Sequence, residues 1–299
     1  MENTKHILIT VDVEDWFQVE NFKPWIPFSS WSDYELRVEK NTHRLLDLFD
    51  SYISTRNSEP GIRNPINATF FVLGWLADRL PTLVREINAR GHEVASHGFY
   101  HHLPIQQSNN EMKRDIIDSK KLLEDITGAP VFGYRAPSFN INYKALKIIE
   151  ECGYTYDSSY NSFRMHDRYG NIDLSRSHKN GAAIKVSNNF YELPISNLKI
   201  GKRVIPFGGG GYFRLFPFYF FKRGVTHILN QEKSYVFYIH PWEIDPGQPR
   251  VHSASLFYKF RHYVNLSKAE SKLIALIKNF SENKFTTCRD YLDQIVNGY

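Results

Sequence analysis

The segment ILITVDVEDWF ends an apolar run in three carboxylates, Asp12, Glu14 and Asp15. Alternation at period two puts Asp12 and Glu14 on one face of a strand, with Asp15 just past its end. Three acids within four residues repel one another unless a cation or an arginine neutralises them. The chemistry they suggest is a metal-binding carboxylate beside a second one free to act as a base; the plainer alternative is a solvated turn of helix-capping acids. Downstream, SHGFYHH holds His97 and His101 at i, i+4, so one helical turn would aim both at a single ion. Two histidines and a carboxylate form the ligand set of many catalytic zinc sites and also suit iron, manganese or cobalt. Arg135, in GYRAPSF, is either a surface ion-pair residue or a group that holds a catalytic carboxylate ionised and oriented. His240 closes the run YVFYIH immediately before Pro241, as a structural histidine or as an acid within reach of a leaving group.

These residues need elements that bring them together. Short apolar runs alternate with helical patterns. Strands are predicted at 6–13, 68–73, 93–96, 131–135, 155–157, 190–195, 235–240 and 285–287, and helices at 33–53, 77–90, 111–126, 143–152, 268–279 and 290–296. That alternation predicts βαβ units and a parallel sheet. The strongest polar residues then fall at the C-terminal ends of strands, with Asp157 among them, on the face where α/β barrels build their sites. Residues 161–211 break the pattern and predict an insertion or cap over one end. Gly208 to Gly211 do not read as a phosphate loop: no GK[ST] ending follows, and the strand-to-helix context is not evident.

Taken together, TVDVEDWF, SHGFYHH, RAPSF and YIHPWE resemble, in order and spacing, the motifs of the polysaccharide deacetylase family, the NodB-homology carbohydrate esterases. GGGYFRLFP is similar to a segment of the branch associated with exopolysaccharide biosynthesis. The resemblance implies an α/β fold, a deformed (β/α) barrel of about seven parallel strands, in a single domain over 1–299. It also implies metal-dependent hydrolysis of N-acetyl groups on N-acetylhexosamine residues of a bacterial polysaccharide or its lipid- or nucleotide-linked precursor. Asp12 would be the general base, His97 and His101 metal ligands, Arg135 the group orienting Asp12, and His240 the general acid that protonates the departing amine. The metal would be a divalent cation, with zinc as the default. The common motif has two adjacent aspartates, whereas this chain reads Asp12-Val13-Glu14-Asp15. The carboxylate ligand is therefore Glu14, favoured by sharing the strand face of Asp12, or Asp15.

Composition narrows the rest. Of the 299 residues, 42% are hydrophobic and 23% charged, which excludes a largely disordered chain. Aromatic residues reach 15%, enough to build a core and also line a sugar-binding cleft. The net charge of +5 is dispersed and no basic arm is present, so nucleic acid is not an expected partner. Two cysteines, Cys152 and Cys288, predict buried free thiols in a reducing compartment. Without a recognisable secretory signal, the expected location is cytoplasmic, with peripheral association with glycan-assembly machinery at the inner membrane. Two rival readings share the scaffold: a metal-independent cyclic amide or ureide hydrolase, and a non-catalytic glycan-binding protein.

Overall fold

The computed structural model describes residues 4–54, 66–163, 172–174 and 177–297. Strand β1 (His6–Val13) is buried from Ile7 onward, as a strand covered on both faces must be. The chain continues through α1 (Val38–Ser54), β2 (Thr69–Val72), α2 (Gly74–Arg79), α3 (Pro81–Ala89), β3 (Glu93–Ser96), α4 (Asn109–Thr127), β4 (Gly133–Tyr134), α5 (Tyr143–Glu151) and β5 (Tyr156–Asp157). The second half holds β6 (Lys179–Asn180), β7 (Ala183–Lys185), β8 (Tyr191–Glu192), β9 (Asn197–Ile200), β10 (Arg203–Pro206), α6 (Gly210–Leu215), α7 (Phe218–Glu232) and β11 (Ser234–Ile239). It closes with α8 (Leu256–Tyr263), α9 (Leu266–Asn279), β12 (Lys284–Phe285) and α10 (Cys288–Asn297).

The main sheet runs β11-β1-β2-β3-β4-β5-β8-β7-β6, with β12 also beside β1. From β11 to β8 every neighbouring pair is parallel. These seven strands match the expected number, and they curl into a half-barrel with two ends rather than a closed ring. Of the expected insertion, residues 164–171 and 175–176 lie outside those described; within the rest, β6 and β7 extend the sheet antiparallel, and β9 pairs with β10 as a separate hairpin.

Period-two alternation sorts β1 into two cores. Ile7, Ile9 and Val11 pack in the large cluster shared with the helices, including Leu45 and Phe49 of α1 and Ile277 of α9. Leu8 belongs to the smaller cluster inside the curl, with Phe71, Tyr156, Val236 and Tyr291 of α10. Thr10 and Asp12 follow Leu8 at the same parity, so the inner face of β1 turns from apolar to polar toward its C-terminal end.

Several helices depart from the sequence reading. The predicted helix 77–90 is two helices, because Leu80 leaves helical geometry (φ −127°, ψ 53°) and Pro81 begins α3. Residues 33–37 precede α1 rather than form its first turns. Helices α6 and α7 mix glycine with bulky aromatics, and α8 is crowded with aromatics and basic residues, which hid them. A strand-to-helix passage does exist around Gly208 to Gly211, from β10 to α6. Its glycines serve packing: Gly209 sits at φ 134° bridging Tyr238, whose carbonyl oxygen would lie 1.9 Å from a Cβ there. Both cysteines are free, Cys288 buried as expected and Cys152 only half-buried.

His92, just before β3, packs against Phe49 and Phe70, and its Nδ1 accepts from the Ala68 N–H at 3.2 Å. Burial, reinforced by Arg90 and only partly offset by Asp50, pushes its pKa down to about 4. The unfolded chain, with an ordinary value of 6.5, therefore takes up the proton first. This contribution to stability is intact above about pH 6.5 and is lost as pH falls toward 4. Replacing His92 with Phe is expected to flatten the fall in unfolding free energy across that window, by roughly 2–3 kcal/mol at pH 4. Urea denaturation at several pH values checks this; an unchanged slope refutes it.

Candidate metal centre and active site

Arg135 is, with Arg214, one of the two largest fully buried side chains among the described residues, and it follows β4 directly. Its Nη1 donates to Asp12 Oδ1 and to Thr10 Oγ1, both at 2.7 Å. Nε donates to the Ser158 carbonyl at 2.9 Å and Nη2 to Ser158 Oγ at 2.8 Å, while Phe71 stacks beneath the guanidinium at 4.1 Å. Arg135 thus ties the ends of β1, β4 and β5 together. It occupies one oxygen of Asp12 and leaves Oδ2 facing the opposite wall. Asp157, the polar residue seen at the end of β5, does not join this site. Its oxygens accept from the Ser159 hydroxyl and N–H, and it shares a buried environment with Glu192 that raises the pKa of both carboxyls, chiefly through burial.

Glu14, His97 and His101 come together, with one donor atom from each inside a 4.8 Å cluster, all buried. Glu14 Oε1 lies 2.9 Å from His97 Nε2 and 3.0 Å from His101 Nε2. The histidines converge through a loop, not the helical turn that their spacing suggested: Gly98 has φ +75° and His101 φ +56°. That left-handed conformation is uncommon for a histidine and is held from outside. Asp115 of α4 accepts from the N–H groups of Phe99 and Tyr100, at 2.8 and 3.2 Å. Ser96 Oγ, bonded to Ser119 Oγ of the same helix, accepts from the Gly98 N–H.

The donor chemistry fits a cation. His97 Nδ1 lies 2.7 Å from the Arg135 carbonyl, which can only accept, so Nδ1 carries a proton. In the neutral ring, Nε2 is then a lone pair aimed at a carboxylate oxygen. Two acceptors face each other, an arrangement relieved by a positive ion between them or by a second proton on the imidazole. Asp15 is not part of the cluster. Its Oδ1 accepts from the Trp16 N–H, and its Oδ2 from the N–H groups of Arg37 and Val38 at the start of α1. Of the two carboxylates left open by the sequence, Glu14 sits with the imidazoles, and Asp15 caps a helix. Burial pushes the Asp15 carboxyl up to about 6, against those backbone donors.

Across the pocket stands His240, after β11. Its Nε2 is 3.8 Å from Asp12 Oδ2 and 4.0 Å from Glu14 Oε1, and its Nδ1 is 2.7 Å from Glu243 Oε1. Burial alone would lower its pKa. The Glu243 hydrogen bond and the charges of Glu14, Glu243 and Asp12 override this and raise it to about 9. Glu243 is fully buried and receives Arg214 Nε at 2.7 Å. Arg214, itself 1% exposed, donates Nη1 to the carbonyls of His262 and Val264 and Nη2 to that of Arg261. Trp242 stacks between His240 and His262. The cavity has a volume of about 350 Å³, at the small end of ligand pockets, and Phe139, Tyr212, Tyr238 and Trp242 add aromatic surface to its walls. Part of the aromatic excess therefore does line the cleft.

Thr10, Ser158, Asp115, Glu243 and Arg214 are the site residues that the sequence did not single out. Asp115 left a signal: it falls in the buried stripe of α4 with Met112, Ile116, Ser119 and Leu123, where an acid has no structural reason to be without a partner. Glu243 sits three residues after His240, but Arg214 lies in an unforeseen helix.

The curled parallel sheet thus collects its ionisable side chains at the C-terminal ends of its strands. Residues 63–156 match the family model described as polysaccharide deacetylase, and residues 158–293 match a domain of unknown function, DUF3473. The similarity to polysaccharide deacetylases thus lies in residues 63–156. It is 34% identical over 87 residues to a Bacillus cereus peptidoglycan-N-acetylglucosamine deacetylase, covering 29% of this chain and 40% of that protein. It is 29% identical over 139 residues to a Helicobacter pylori peptidoglycan deacetylase, covering 44% of this chain and 43% of that one. The chain thus spans about two fifths of the length of these relatives. A solved Mycobacterium smegmatis structure, described as a candidate polysaccharide deacetylase, superposes with a TM-score of 0.62 at 17% identity over 99% of this chain and 92% of that one. An allantoinase structure gives 0.60 at 14% identity, over 99% and 93%. At such identities the likeness is one of fold, and the side chains must decide the chemistry.

Two measurements test this geometry. Glu14→Gln is expected to lose bound metal, whereas Asp15→Asn is expected to keep it and cost about 1 kcal/mol of stability as a weakened cap. Elemental analysis with urea denaturation separates them; metal loss in Asp15→Asn alone would reverse the assignment. Arg214→Met leaves the Glu243 carboxylate buried without its arginine and is expected to cost about 3–5 kcal/mol, much of which Arg214→Met combined with Glu243→Leu restores. Strictly additive losses in the double variant would show that the two residues do not act as a pair.

Proposed function

We propose that this chain hydrolyses the acetamide of N-acetylhexosamine residues in a bacterial polysaccharide, or in a lipid- or nucleotide-linked precursor of one, with a divalent metal as cofactor. The observation that carries this reading is the convergence of Asp12 Oδ2 and Glu14 Oε1 on His240 Nε2, at 3.8 and 4.0 Å, across one pocket. Glu14, His97 and His101 would hold the cation, with zinc the best match to two imidazoles and one carboxylate. Bound there, a divalent ion acts as a Lewis acid on the acyl carbonyl and makes water more acidic.

The chain's own groups supply the rest. Asp12, with Oδ1 locked by Arg135, presents Oδ2 as the base that takes a proton from the attacking water. His240, with Nδ1 bonded to Glu243, presents Nε2 to donate a proton to the departing amine nitrogen. Acetate and a free amino sugar leave. The aromatic walls offer flat apolar faces for a pyranose ring. The two curated relatives above are named for peptidoglycan. A role in exopolysaccharide biosynthesis is proposed here from the similarity of GGGYFRLFP to that branch, together with action as one domain at a cytoplasmic location beside the glycan-assembly machinery. Among the described residues no helix is long and apolar enough to cross a membrane.

The test is acetate release from N-acetylhexosamine oligomers by the protein as purified, after chelation, and with zinc or cobalt restored. Release that chelation abolishes and metal restores is expected. Asp12→Asn is expected to retain metal while losing roughly 10²–10⁴-fold in turnover. Normal turnover in that variant removes Asp12 as the base. Metal-independent hydrolysis of a cyclic ureide with no acetate release would replace the reading.

A further inference from the structure

Half of the large apolar side chains that the described structure leaves exposed come from two segments that also help to line the pocket. Leu215 (44% exposed), Tyr219 and Phe220 come from the end of α6 and the start of α7, and Leu256 (81%), Phe257 and Phe260 come from α8. Leu215, Phe257 and Phe260 all line the pocket. The two segments form one surface, because Arg214 is bonded to the carbonyls of Arg261, His262 and Val264 at the end of α8, and Asn265 Nδ2 donates back to the Arg214 carbonyl. The ring contact of Phe216 with Phe220 continues that surface into α7. An apolar patch of this kind on a soluble domain marks a contact with something else.

Charge identifies the occupant. Residues 193–231 and 246–269 contain no Asp or Glu. Within them, Lys222 and Arg223 follow the apolar turn of α7, and Lys259 and Arg261 interleave with the aromatics of α8. Arg223 lies over the Tyr219 ring and Arg261 over the Phe257 ring, so cation and aromatic are presented side by side. A partner protein or an apolar second copy gives no reason for two segments, distant in sequence, to exclude acids together. A negatively charged interface with an apolar interior does: rings insert at headgroup depth while lysine and arginine stay at the phosphate level.

We propose that this face docks peripherally on a bilayer containing anionic phospholipid, which sets the pocket mouth at headgroup height. The inference does not depend on the deacetylase reading, since binding is read without turnover. The full chain is sedimented with sucrose-loaded vesicles of phosphatidylcholine alone or of phosphatidylcholine with 30% (about, as a working fraction) phosphatidylglycerol. It is expected to co-pellet with the anionic vesicles at least tenfold more strongly than with neutral ones, and to be released by high salt. Leu256→Ser with Tyr219→Ser, and separately Lys222→Glu with Arg223→Glu, are each expected to weaken that partition about tenfold or more while keeping the wild-type circular dichroism and melting temperature. Equal partition to both vesicle types, no partition to either, or partition indifferent to both double variants overturns the proposal. So does a dimer in sedimentation velocity that Leu256→Ser with Tyr219→Ser dissolves, because the face would then be covered by a second copy. If a variant melts early, the single replacement Arg223→Gln, at an exposed position, supplies the reading instead.

Discussion

Three carboxylates, Asp12, Glu14 and Glu243, stand buried around one small cavity, and none can remain ionised there without a positive partner. Each has its own. Arg135 holds Asp12, Arg214 holds Glu243, and the two imidazoles face Glu14 with donor geometry that suits a cation. The two arginines are also the largest fully buried side chains. Each guanidinium also reaches backbone carbonyls, that of residue 158 for Arg135 and those of 261, 262 and 264 for Arg214. The polar end of the half-barrel is therefore a balanced set of charges, and the apolar clusters below and around it provide the low dielectric that makes the balance strict.

This requirement also explains which parts of the site were legible in the sequence. Asp12, Glu14, His97, Arg135 and His240 follow or end strands whose apolar patterns are plain, so their shared location could be read from the order of elements. The number of parallel strands was legible for the same reason. Asp15 was ambiguous because a carboxylate one residue past a strand can turn either way; three backbone N–H groups at its side, two of them opening α1, decided its direction. The convergence of His97 and His101 was anticipated from helical spacing, yet it arises from a glycine turn pinned by Asp115, a long-range contact with no local signature. Arg214 was hidden because α6 and α7 combine glycines with consecutive aromatics, a composition that favours neither periodicity.

Both halves of the chain contribute to the pocket, and they do so differently. The portion matching the deacetylase model supplies the histidine pair and Arg135, which stand on strands or on loops braced by α4. The portion matching DUF3473 supplies His240, Glu243, Arg214 and the outer wall. The residues proposed to hold a metal therefore stand on or beside the regular sheet, and the outer wall of the pocket comes from the less regular second half.

The position of Arg214 sets a mechanical limit on that outer wall. Its guanidinium is bonded at one side to Glu243, the partner of His240, and at the other to carbonyls at the end of α8, so the wall and His240 are tied to one buried cation. Swinging α8 outward to admit a bulky chain would strip a buried cation of its acceptors. The mouth is thus braced on that side, and under the proposed function a polymer longer than the cavity would lie across the opening and present one residue at a time.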